Sequence, residues 1–101
     1  IEPLTNAALE RVDFVKIDAE GMEPEIWHGG IGILRPKAVL LEWSPEKYRD
    51  PPDFLSVIRR DGYSVSRINQ HGELELVEAR PEETAKLSAI KGWEALWLER
   101  L

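Results

Sequence analysis

Three carboxylates and one lysine lie where two apolar runs of this chain end. Asp18 and Glu20 follow the run Val12-Asp13-Phe14-Val15-Lys16-Ile17, and Glu42 stands near the end of Ala38-Val39-Leu40-Leu41-Glu42-Trp43. Ligands of open α/β sheets bind beyond the carboxyl ends of the strands. If both runs are neighbouring strands, Asp18, Glu20 and Glu42 therefore converge on one rim. Carboxylates so gathered repel one another and require a cation or raised pKa values. A divalent metal, a sulfonium or a nearby lysine each meets that need, and the same acids also read as ordinary solvated strand ends. Gly21 follows at once and would let a backbone approach a ligand closely. Lys16 shares a strand face with Val12, Phe14 and Asp18, and lysines are almost never fully buried unpaired. A structural ion pair, with Glu42 or with an acid on another strand, is the expected reading, ahead of a catalytic role.

Other candidates carry less. His28 lies where a helix meets glycines and reads as a cap or surface residue, and His71 falls in a turn. Trp27, Trp93 and Trp97 read as core. Trp43, directly after Glu42, is placed to wall a pocket. Gly30-Ile31-Gly32 does not follow a strand and open a helix, so it is not a phosphate loop.

The elements that would position these residues form an alternating pattern. Both runs have strand length and branched or aromatic composition. Their near-continuous apolar character predicts burial on both faces, as in a parallel sheet. Glu23-Pro24-Glu25 reads as a helix start. Ile26 and Trp27 would face the sheet, and Gly29, Gly30 and Gly32 would weaken or break the helix before Arg35-Pro36. Strand, helix and strand make a βαβ unit. A second helix is predicted over about 52–61, with Phe54, Leu55 and Ile58 as its stripe and Gly62 as its cap. Tyr63–Ile68 alternates as a half-exposed strand, and Asn69 to Gly72 turns into a short strand over 73–77. A helix over 81–90 and a strand over 94–100 close the chain, and Leu4 to Arg11 reads as the tail of an earlier helix. The class is α/β.

Composition narrows the field. The chain has 101 residues, room for one small domain. It is 43% hydrophobic and 32% charged, a soluble globular balance. A formal net charge of −6 without basic clusters argues against nucleic acid as a partner. The absence of cysteine excludes disulfides and thiolate metal sites and suits the cytoplasm. No apolar run approaches the length of a membrane span, so no membrane role is expected. The start at Ile1 reads as a piece cut from something longer.

Asp13-Phe14-Val15-Lys16-Ile17-Asp18-Ala19-Glu20-Gly21-Met22-Glu23, followed by Gly29, resembles the signature of the FkbM-type methyltransferases. Arg35-Pro36 before Ala38-Val39-Leu40-Leu41-Glu42 is similar to that family's next strand. The likeness is densest over residues 12–43 and thins after about residue 70. The extra glycines Gly30 and Gly32 depart from the family's usual single glycine. The resemblance implies the C-terminal half of a Rossmann-like class I methyltransferase sheet, ordered 3-2-1-4-5-7-6 with the seventh strand antiparallel. Residues 12–18 would be the fourth strand, 38–43 the fifth, 63–68 the sixth and 94–100 the seventh. It further implies methyl transfer from S-adenosylmethionine to an oxygen of a small-molecule acceptor. Most of the cofactor would be held by an N-terminal half upstream, leaving this chain alone inactive and binding it weakly or not at all. Asp18 would lie nearest the methyl donor with Gly21 beside it. Glu20 or Glu42 would act as base, or all three acids would hold a divalent cation.

Two other readings compete. Lys-Ile-Asp at a strand end also occurs in metal-dependent barrels such as the EAL-type phosphodiesterases, and a non-catalytic interaction module remains open. The missing first strand would leave residues 12–18 as an unprotected edge, which predicts a homodimer through antiparallel pairing of that strand with its own copy.

Overall fold

The computed structural model describes residues 14–101. Val12 and Asp13 of the first run, and the helix tail expected over 4–11, lie outside the described residues.

Strand β1 (Phe14–Ile17) leads through a tight turn into helix α1, which is α-helical over Glu23–Ile26, π-helical over Trp27–Ile31 and α-helical again over Gly32–Leu34. Strand β2 (Ala38–Trp43), a 3₁₀ turn (Pro45–Lys47), helix α2 (Pro51–Arg60) and strands β3 (Tyr63–Ile68) and β4 (Leu74–Val77) follow. Helix α3 (Pro81–Ser88) and strand β5 (Glu94–Arg100) complete the chain.

The glycines therefore do not break α1. They are accommodated by one wide turn, and the helix runs on until Arg35 takes a left-handed conformation at φ 50° and ψ 55°. Bulges of this kind shift the side chains that follow them around the helix axis. Trp27 and Ile31 both reach the core, while Ile26, expected against the sheet, is exposed. Helix α2 is bounded by side-chain chemistry. Asp50 caps its start by accepting the Asp53 N–H at 3.1 Å, and Gly62, at φ 95°, turns the chain out of its end. The β3–β4 turn is held by Asn69, whose Oδ1 accepts the N–H groups of His71 and Glu73, both at 2.9 Å.

The sheet is mixed, with order β1-β2-β5-β3-β4. β1 and β2 are parallel, with Ile17 opposite Leu41, and β5 lies antiparallel between β2 and β3. β3 and β4 form an antiparallel hairpin. The result is a small α/β arrangement of five strands with flanking helices, in an open sheet rather than the closed parallel barrel of the phosphodiesterase reading.

Registers divide the sheet residues into two faces. Ile17, Val39, Leu41, Trp43, Leu96, Leu98, Tyr63, Val65 and Val77 lie on one, and their cluster takes in Trp27 and Ile31 of α1, Phe54 and Ile58 of α2 and Leu87 of α3. The opposite face carries Phe14, Leu40, Trp97, Leu74 and Leu76. Phe14 is 51% exposed and Leu76 66% exposed. The expected burial on both faces is thus met on one face only among the described residues. Phe14 finds partial cover by stacking on Trp97, with ring centroids 5.8 Å apart.

Candidate functional site

The parallel pairing of β1 with β2 brings their carboxyl ends together. A cleft of about 380 Å³ opens there, and Asp18, Glu20 and Glu42 all line it, with Lys16, Trp93 and Ala95. The Glu42 carboxyl lies within hydrogen-bonding reach of Asp18. That contact, then burial and the Asp18 charge, pushes its pKa above the ordinary carboxylate value, opposed by the nearby Lys47. A carboxyl placed beside another carboxyl gives up its proton less readily than an isolated one. Glu42 Oε2 is buried and has no hydrogen-bond partner. Asp18 and Glu20 are exposed.

The turn that presents Asp18 and Glu20 is built by Glu23, which reads in sequence as a helix-start acid and as the last residue of the family-like signature. Glu23 is fully buried, and its carboxylate folds back on the turn. One oxygen accepts the Ala19 N–H at 2.7 Å and the other the Gly21 N–H at 2.9 Å. This allows Glu20 to take φ 50° and Gly21 φ 103°. Gly21 is needed here for two reasons. Its backbone angle is one that side chains rarely adopt, and a Cβ would stand 2.9 Å from Cβ of Lys47. It lines a neighbouring groove with His28, Tyr48 and Asp50 and is not among the residues lining the Asp18 cleft.

Tyr48 fixes the β2 end. Its hydroxyl accepts the Ser44 N–H and donates to the Glu42 carbonyl, each at 2.9 Å. Burial pushes its pKa well up, with Glu23 and Glu42 adding to the shift. The 3₁₀ turn then reaches across to β5, where Glu46 Oε1 accepts the Gly92 N–H at 2.7 Å. Beside that anchor Trp93 stands 65% exposed at the cleft.

Two tryptophans thus exchange the places expected for them. Trp43 does not wall the pocket. It is fully buried on the helix-covered face, donates from its indole to the Leu87 carbonyl at 2.8 Å and stacks on Phe54. Trp93, expected in the core, walls the cleft instead. Lys16 also departs from expectation. It is exposed, and among the described residues no ion pair joins it to a carboxylate. The edge position of β1 leaves its side chain in water, so it needs no partner. Among the described residues no group of three or more His, Cys, Asp or Glu side chains is arranged to hold a metal ion. His28 and His71 are exposed. No described helix is long and apolar enough to cross a membrane.

A family model, the methyltransferase FkbM domain, matches residues 4–65. The matched stretch is more than half of the chain and contains Asp18, Glu20, Glu23 and Glu42. No curated protein and no solved structure matches the chain. With its carboxylates gathered at the ends of two parallel strands inside the matched stretch, this chain belongs to the FkbM methyltransferase family.

Proposed function

We propose that the chain is the C-terminal half of a Rossmann-like methyltransferase domain that transfers a methyl group from S-adenosylmethionine to an oxygen of a small-molecule acceptor. The reading rests on one observation above all, the paired Asp18 and Glu42 carboxyls at the ends of adjacent parallel strands. The strand order supports it. Counted as the family's fourth to seventh strands, β1, β2, β3 and β5 stand in the order 4-5-7-6 with the seventh antiparallel. The first three strands of such a sheet are then supplied by a longer chain.

The cleft suits the charged end of the cofactor. A carboxylate, a partnerless buried carboxyl oxygen and an exposed indole all attract a cation. When bound, S-adenosylmethionine supplies the electrophilic methyl group. Asp18 would stand nearest the sulfonium and attract its positive charge. Glu42 takes the acceptor's hydroxyl proton, its raised pKa making it a stronger base than an ordinary carboxylate. Glu23 and Tyr48 hold both strand ends still, which matters because positioning supplies much of the rate of a displacement.

The test is an amide-resolved titration of the chain with S-adenosylmethionine and with its neutral thioether product. Weak binding is expected, with shifts at Asp18, Glu20, Glu42 and Trp93 and with the sulfonium favoured. Low-micromolar affinity would show the strand assignment wrong, and shifts confined elsewhere would remove this cleft as the cofactor's place.

A further inference from the structure

A second groove, of about 800 Å³, runs between α2 and α3 and shares no residue with the Asp18 cleft. Three guanidinium groups line it, Arg59, Arg60 and Arg80, with the hydroxyls of Ser56, Thr84 and Ser88. The rest of its wall is proline and alanine, and no carboxylate lines it. That is unusual in a chain with 19 acidic and 13 basic side chains.

The charges in the groove are incompletely answered. Arg59 is partly buried, and its Nη2 donates to the carbonyls of Val77 at 3.1 Å and Glu78 at 3.3 Å. These are neutral acceptors, and burial without a carboxylate lowers its pKa. A partly desolvated cation held only by carbonyls is costly unless an anion joins it. Arg80 is paired with Glu78 at 2.5 Å, but both side chains are more than half exposed, so the pair is weak. Nearby Glu83 is turned to Lys86, at 3.7 Å. Ser88 Oγ is buried without a hydrogen-bond partner.

We infer that the groove between α2 and α3 binds a small organic phosphate, with Arg59, Arg60 and Arg80 on the phosphate oxygens and the proline–alanine wall against an apolar body. Guanidinium forks and hydroxyls together match an oxygen-rich dianion better than a single carboxylate. The site is separate from the proposed chemistry and would stand or fall without it.

The probes are phenyl phosphate and inorganic phosphate, titrated into the chain and followed by amide shifts. Saturable shifts are expected at Ser56, Arg59, Arg60, Arg80 and Ser88, with phenyl phosphate binding more tightly and added salt weakening both. Arg60→Ala, which removes an exposed side chain, should weaken binding about tenfold, the worth of one charged hydrogen bond, at an unchanged melting temperature. Three outcomes would each overturn the site: no saturable shift at millimolar phosphate, equal weakening by Lys16→Ala on the sheet face opposite α2 and α3, or a phosphate response untouched by Arg60→Ala.

Discussion

A buried carboxylate that accepts two backbone N–H groups, as Glu23 does, holds a loop in a shape the loop would not keep alone. Glu23→Gln keeps one acceptor oxygen and turns an NH₂ toward the other N–H. Leaving a buried donor unpaired costs about 1–3 kcal/mol. We expect a loss of about 2 kcal/mol in urea unfolding, with the Ala19 and Gly21 amide signals moving most. A variant as stable as the parent would show that the turn holds itself. Glu42 gives a pH test. Its folded pKa is raised, so its protonated form stabilises the fold at and below the ordinary carboxylate value of 4.5, and that contribution is lost as pH rises through the folded pKa. Glu42→Gln donates an N–H to Asp18 at every pH. It should therefore be more stable than the parent at pH 7, the advantage vanishing as pH falls to 4.5. A constant difference across that window would refute the shared proton. At this scale the sequence was only partly legible. The strand-end rule selects Asp18, Glu20 and Glu42, because it depends on strand direction alone. The role of Glu23 depends on a backbone turn whose shape its own hydrogen bonds create, and a helix-start glutamate in the sequence carries no mark of that.

At the scale of elements, glycines of similar appearance do different work. Gly29 and Gly30 lie in the π turn of α1, and a Cβ at either meets nothing within 4 Å. Alanine in a helix interior is favoured over glycine by about 0.5–1 kcal/mol. Gly30→Ala should stabilise the chain by that amount in denaturant unfolding, whereas Gly21→Ala, at φ 103° and 2.9 Å from Lys47, should destabilise it. Destabilisation by Gly30→Ala would mean that the π turn needs glycine itself. The strands and helices were largely legible because each has its own period and stop signals. The wide turn was not, since it adds a residue without altering the apolar pattern enough to show. The tryptophans failed for a related reason. The run 38–43 is apolar on both faces, so its pattern does not say which parity meets the helices, and Trp43 and Trp93 end on opposite sides of one sheet. With Leu96 and Leu98 buried, the parity of β5 puts Trp93, Ala95 and Trp97 on the other face.

Among the described residues the molecule is a sheet with helices on one face and β1 at its side. Among the described residues β1 pairs only with β2, and no described strand meets its outer N–H and C=O groups. Around that edge lies the uncovered face with Phe14, Trp97, Leu74 and Leu76. Backbone groups and apolar surface are exposed side by side, and one copy of the chain can supply what another lacks. We propose that the chain self-associates by antiparallel pairing of residues 12–18 with the same residues of a second copy, which brings the two Phe14–Trp97 stacks close together across a two-fold axis. The exposed Lys16 works against this, because edge lysines repel a like strand, so the dimer should be weak and should tighten with salt. Phe14→Lys adds a second charge to the same face without touching the helix-covered core. The expected outcome is a mass that rises with concentration for the parent chain in light scattering. The variant should stay monomeric over the same range, with its melting temperature unchanged at low concentration. A parent chain that is monomeric throughout, with slow amide exchange along β1, would show that the edge is covered from within and would end the proposal.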